Sequence, residues 1–307
     1  MSDLTTPIEW PSVATMSAMV TPFDADETVN YNAVSDLVDW TIKNGVHGLV
    51  PCGTTGEFAS LSRNERQKVI ETTVEAADKR VPIVAGAGAT TVDDVVEFID
   101  DASTAGADAA LVPPPYYHAA NAPAGNQVFF ERIAEATALP VYVYNIPSCT
   151  SGPVSVKTVT ELAAHEAIHG IKDTSGDFST IERLISETPE SFNVFQGYDD
   201  HFLGAAVMGS DGGINGLAGI FPKALGELCE AIVIEDFDRA REIQRHILSP
   251  VFEACFEHGF AAGAKLALVE RGVIEETTVR PPLVELDGDA KTDVTAAVEK
   301  AVSTLDK

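Results

Sequence analysis

The residues most able to do chemistry stand at the ends of short apolar runs. Ile168-His169-Gly170-Ile171 ends on a single lysine, Lys172, followed by Asp173-Thr174-Ser175. Partial desolvation at such a position frees an amine to attack a carbonyl; the competing reading is a rim lysine kept in water. Tyr142 and Tyr144, two apart in Val141-Tyr142-Val143-Tyr144, share one face of an extended segment. A phenol at a strand end can relay a proton, although a single tyrosine is more commonly a core aromatic with a satisfied hydroxyl. In Gly53-Thr54-Thr55-Gly56-Glu57 two glycines bracket two hydroxyls ahead of a helix. Free backbone N–H groups there suit a carboxylate or phosphate, and the alternative is a plain turn. Pro113-Pro114-Pro115 leads rigidly to two more phenols, Tyr116 and Tyr117. Histidines contribute less, since His165, His246 and His258 fall in segments of helical character and give no Ser-His-Asp set.

Eight short apolar runs are the elements that must position these groups: Val13–Met19, Gly48–Pro51, Val81–Ala85, Ala109–Val112, Val141–Tyr144, Ile168–Lys172, Asn193–Gly197 and Gly212–Asn215. Amphipathic stretches separate them, the clearest carrying Val92, Val95, Val96, Ile99 and Ala102 on one helical face. Ser62 with Glu65 predicts a capping box, and Gly45 and Gly106 predict helix stops. Strands with little polar alternation, each followed by a helix, imply a parallel sheet covered by helices. Eight such units close into an α/β (β/α)8 barrel, also called a TIM barrel. A doubly wound open sheet is the weaker alternative, because Gly86-Ala87-Gly88-Ala89 lacks the third glycine of a dinucleotide turn. One domain over residues 1–307 is expected, a barrel at about 12–225 followed by a helical extension at about 226–307 through Pro222–Ala231, Asp236–His258, Ala261–Arg271 and a polar end.

Twenty basic against 47 acidic residues leave a net charge of −27, which excludes nucleic acid as a partner. The carboxylates are scattered through helical stretches, as in Asp93, Asp94, Glu97, Asp100 and Asp101, and suggest a solvated coat suited to a salt-rich, halophilic interior. No apolar run is long enough to span a bilayer, and Met1–Pro11 has no basic-then-apolar order, so a cytoplasmic location without membrane association is expected. Cys52, Cys149, Cys229 and Cys255 form no CxxC pair and have no histidine at metal-ligand spacing, so reduced thiols and no metal site are expected.

Four motifs, Gly53-Thr54-Thr55-Gly56-Glu57, Tyr144-Asn145-Ile146-Pro147, Gly170-Ile171-Lys172-Asp173 and Val279-Arg280-Pro281-Pro282-Leu283, stand in an order and spacing that resembles the dihydrodipicolinate synthase and N-acetylneuraminate lyase family over nearly the whole chain. The resemblance implies a class I, pyruvate-dependent aldolase. Lys172 would form a Schiff base with a 2-keto acid, Thr54 and Thr55 would hold its carboxylate, and Tyr144 would shuttle the proton. The backbone around Ile214 would face the pyruvyl group, with Gly197 and Thr174 also binding substrate. Tyr117 would act catalytically in a neighbouring subunit's site, which implies a homotetramer. No metal or organic cofactor is needed for an iminium to make the pyruvyl methyl acidic.

Family members differ in the second substrate. A dihydrodipicolinate synthase is expected to carry an arginine two residues after the Tyr-Asn-x-Pro motif, where Cys149 stands here. Phe195-Gln196-Gly197-Tyr198-Asp199-Asp200 is similar to the sugar-acid lyases of the family. The favoured expectation is therefore an aldolase of carbohydrate metabolism that cleaves 2-keto-3-deoxygluconate, or its 6-phosphate, to pyruvate and glyceraldehyde or its 3-phosphate. A phosphate would call for an arginine soon after Tyr116-Tyr117, where His118 and two alanines follow. The alternatives are a 4-hydroxy-tetrahydrodipicolinate synthase, an N-acetylneuraminate lyase-like enzyme, a 2-keto-3-deoxy acid dehydratase and a noncatalytic pyruvate-binding protein.

Overall fold

A computed structural model describes residues 7–117, 123–150 and 152–305. Its eight strands are β1 Ala14–Ala18, β2 Gly48–Val50, β3 Val84–Gly86, β4 Ala109–Val112, β5 Val141–Asn145, β6 Ile168–Asp173, β7 Asn193–Gln196 and β8 Gly212–Asn215. All pair in parallel in the order β2-β1-β8-β7-β6-β5-β4-β3. A parallel bridge between Leu49 and Ile83 joins the two ends and closes the barrel.

The eight intervening helices are α1 Tyr31–Lys43, α2 Arg63–Ala77, α3 Val92–Ala105, α4 Pro123–Ala136, α5 Val156–Leu162, α6 Phe178–Glu187, α7 Phe202–Val207 and α8 Pro222–Val233. Their boundaries are written locally. Ser62 and Glu65 make the predicted capping box on α2. Asn30, Thr91, Ser155 and Asp177 cap α1, α3, α5 and α6 by accepting backbone N–H bonds. Gly106 ends α3 at φ 95°, a conformation that costs an L side chain energy.

Strand residues are apolar on both faces because both faces are buried. Ala14, Met16, Leu111, Tyr142, Phe195 and Ile214 fill the barrel interior, while Val112, Val143, Ile171 and Val194 pack outward against the helices. Trp10 closes the interior, donating its Nε1–H to the Tyr142 hydroxyl at 3.2 Å and meeting Phe195 edge to face. The barrel is thus a packed core with chemistry possible only at its mouths.

The chain differs from expectation in three places, two beyond the barrel and one within it. The segment expected as one helix over Asp236–His258 runs as α9 Phe237–Ile243, a π turn at Gln244–Leu248 and α10 Ser249–His258, followed by α11 Phe260–Glu270. The polar end forms a further helix, α12 Gly288–Leu305. Its buried stripe is narrow, Val294, Val298 and Ala301, and is hidden among charges, yet it suffices to pack α12 on α10 and α11. His165, expected in a helix, lies in the turn between α5 and β6, where its Nδ1 accepts the Ala167 N–H.

Candidate active site

Parallel strands point their carboxyl ends to one mouth, and alternation decides which side chains enter it. In β6, Gly170 and Lys172 alternate inward while Ile171 packs outward. Gly170 is needed there: a Cβ would lie 2.5 Å from the Asn193 carbonyl and 2.7 Å from the Tyr142 ring, which occupies the barrel beneath Lys172. In β5, Tyr142 and Tyr144 alternate inward, and the register sets Tyr144 directly beside Lys172. Both are almost fully buried, and Lys172 Nζ lies 4.3 Å from the centre of the Tyr144 ring. Behind them, on the outward face, Asn145 donates to Asp173 Oδ1 at 2.6 Å and accepts the Val154 N–H, tying the ends of the two strands together. Burial raises the Asp173 carboxyl above its ordinary range.

A cavity of about 140 Å3 opens over this pair. Lys172, Tyr144, Thr54, Thr55, Thr174 and Gly197, all expected from the sequence, line it together. The N–H groups of Thr54 and Thr55 donate no hydrogen bond among the described residues, whereas those of Gly56 and Glu57 turn back onto Gly53 and Thr54. Thr174 Oγ1, from a residue that lines the cavity, is buried without a hydrogen-bond partner among the described residues. Gly197 makes the room: a Cβ would lie 1.9 Å from Thr174 Oγ1 and 3.0 Å from Lys172 Cε.

The side chains of two further expected residues do not line this cavity. Ile214 is fully buried in the barrel interior, paired in register with Met16, and does not line the cavity; Gly216, just past the strand, does. The inward alternation of β8 makes Ile214 a core residue beneath the site. Tyr117 is 80% exposed and is not among the described residues lining either cavity at the mouth, while Tyr116 lines an adjoining cavity of about 230 Å3 that shares Thr54, Ile146 and Cys149 with the first. His118 lies outside the described residues.

Other lining groups were given no role from the sequence, although Tyr198 and Asp199 fall in the Phe195–Asp200 segment noted in it. Asp199, after β7, is completely buried and accepts the Leu217 N–H at 2.9 Å; burial pushes its carboxyl up to about 7 against the opposing pull of the Lys172 ammonium. Its position at a strand end was the available signal. Phe252, Phe256 and Phe260 reach over the mouth from α10 and α11, with Tyr198 packed edge-on against Phe252 and Phe256. Nothing local to those helices marks them. No group of three or more His, Cys, Asp or Glu side chains is gathered for a metal among the described residues.

An amine and a phenol meeting beneath a pocket with free N–H donors define a class: α/β-barrel enzymes equipped for carbonyl chemistry at the strand ends. The chain belongs to the dihydrodipicolinate synthetase family, whose model matches residues 12–301, and is accordingly a pyruvate-dependent carbon–carbon lyase. It is 36% identical over 274 residues to the 4-hydroxy-tetrahydrodipicolinate synthase of Desulfotalea psychrophila, covering 89% of this chain and 91% of that protein. The enzyme of the same name from Rhizobium meliloti is 37% identical over 287 residues, covering 92% and 96%. Among solved structures, the chloride-inhibited dihydrodipicolinate synthase of Acinetobacter baumannii complexed with pyruvate superposes with a TM-score of 0.91 at 33% identity, covering 95% of this chain and 99% of that one.

Proposed function

We propose that Lys172 forms a Schiff base with the keto carbon of a 2-keto acid and that the enzyme cleaves 2-keto-3-deoxygluconate to pyruvate and glyceraldehyde. The Lys172 amine adds to C2, and Tyr144 gives its proton to the departing hydroxyl so that water leaves; this yields a phenolate and an iminium that withdraws electrons from the C3–C4 bond. As that bond breaks, its electron pair moves into an enamine and the C4 hydroxyl proton passes to the Tyr144 oxygen; the carbonyl product is glyceraldehyde. Tyr144 then returns the proton to C3, and hydrolysis of the iminium releases pyruvate. The Thr54 and Thr55 N–H groups and hydroxyls face the substrate carboxylate, and Thr174 Oγ1 and Asp199 supply partners for sugar hydroxyls.

The observation that carries the choice of substrate is Cys149. It lines both cavities at the position where a dicarboxylic acceptor calls for a guanidinium, and no arginine lines either cavity among the described residues. Lys172 is the one cation in the described lining and is occupied as the imine, so neither a second carboxylate nor a phosphate has a counter-charge. The second reading is a 4-hydroxy-tetrahydrodipicolinate synthase, the name borne by the relatives at 36–37% identity. Comparing specificity constants for 2-keto-3-deoxygluconate, its 6-phosphate and aspartate semialdehyde with pyruvate, in molar salt, decides between them. A preference for aspartate semialdehyde sinks the sugar-acid reading, and Cys149→Arg should move activity toward that substrate.

The same reading extends to a homotetramer in which Tyr117 of one subunit reaches a neighbour's site, working in a salt-rich cytoplasm. The high exposure of Tyr117 on its own chain supports the first, and the net charge of −27 supports the second.

A further inference from the structure

The Gly53–Glu57 loop is bracketed by two non-glycine residues in the left-handed region, Cys52 and Glu57, each at φ 56°. Such a conformation costs free energy for an L residue and persists only where the surroundings hold it. At Glu57 the holding groups come from the extension beyond the barrel. Glu57 Oε1 lies 2.5 Å from Lys265 Nζ of α11, with both side chains wholly buried. Glu57 Oε2 accepts the Arg280 backbone N–H at 3.1 Å. Lys265 Nζ also donates to the Thr278 carbonyl at 2.7 Å and sits 3.8 Å from the centre of the Phe23 ring. The Arg280 guanidinium bonds the Ser60 and Glu27 carbonyls and both oxygens of Glu65, so it grips the far end of the same loop. Lys265 and Arg280 line neither cavity at the barrel mouth.

A buried ion pair is a poor source of stability, since two apolar side chains of similar volume commonly serve as well or better. Its use here is geometric: the charge on Glu57 fixes one loop conformation among several. We propose that Lys265 and Arg280 are positioning residues, Lys265 acting through Glu57 and the Arg280 side chain through Ser60 and Glu65, that hold the Thr54–Thr55 N–H groups where the substrate carboxylate seats. This rests on the reading of that loop as the carboxylate site.

The test uses the full chain in molar potassium chloride, with Lys265→Met and Glu57→Gln made singly and together. Borohydride trapping of the pyruvate adduct is followed as pyruvate is varied, and circular dichroism monitors the fold. Misplacement of the loop by about an ångström should raise the half-saturating pyruvate concentration roughly ten- to hundredfold. The extent of trapping at saturation should not change, because Lys172 is untouched. The double variant should cost less than the sum of the singles, since both act through one contact. Arg280→Gln reaches the loop from the other side and serves should Lys265→Met fail to fold. Variants that melt earlier but bind pyruvate as the wild type does would reduce the pair to a structural role and overturn the proposal. Absence of any adduct in the wild type would instead overturn the Schiff-base reading and this inference with it.

Discussion

Lys172 Nζ stands 4.3 Å from the centre of the Tyr144 ring, on adjacent strands whose register pairs the two residues directly. A slip of one residue in either strand would turn its side chain to the helix side. The neighbouring Asn145–Asp173 hydrogen bond guards against that slip from the outward face. Amine and phenol are therefore brought together by backbone pairing rather than by flexible side chains searching for each other.

Lys172→Ala should keep the fold and abolish borohydride trapping of pyruvate, as read by mass after digestion. Tyr144→Phe should still form the adduct while slowing turnover by about a hundredfold or more, the scale of a lost acid–base group. Trapping retained without Lys172, or turnover indifferent to Tyr144, would remove that residue from the mechanism.

Gly197→Ala places a methyl group 1.9 Å from Thr174 Oγ1 and 3.0 Å from Lys172 Cε. Either the threonine swings away or the lysine is displaced, and a displacement of about an ångström can cost on the order of a hundredfold in rate. Single-turnover imine formation measures the loss. Wild-type rates in this variant would mean that the crowding at Gly197 is relieved at no expense to the site.

Asp199 adds a pH dependence to stability. Its folded pKa, about 7, lies above its ordinary value of 3.8, so the folded state holds the proton more tightly than the unfolded chain does. The resulting stabilisation is complete below the ordinary value and is lost as pH rises through about 7. Asp199→Asn removes this titration. The melting temperature of the wild type minus that of the variant should therefore be larger at pH 5 than at pH 8, and a difference that does not change with pH contradicts the assignment.

Salt should stabilise the protein strongly. On α3, Asp93, Asp94, Glu97 and Asp100 are exposed while Val95, Ile99 and Ala102 are buried, so the acidic residues lie on the surface as a coat. At molar salt the screening length falls to about 3 Å, which removes most repulsion within such a coat. Melting temperature and activity should both rise from dilute buffer to molar potassium chloride, and a flat response would exclude salt adaptation.

Much of this was legible in the sequence because it is encoded over a few residues. Apolar runs such as Ala109–Val112 and Gly212–Asn215 fall at the strands they predict, and the Ser62–Glu65 box and Gly106 mark helix ends that backbone hydrogen bonding demands. Lys172, Tyr144, Thr54, Thr55, Thr174 and Gly197 could be named because a parallel barrel gathers its strand ends at one mouth. What tertiary structure alone decided depends on contacts between distant segments. That the Ile214 side chain fills the barrel core while Gly216, just past β8, lines the cavity follows from how β8 pairs with β1. The phenylalanines over the mouth come from α10 and α11, and Lys265 reaches Glu57 from α11, so both depend on how helices beyond the barrel pack against it. Hydrophobic spacing tells a helix which face to bury, but not which loop it will be buried against.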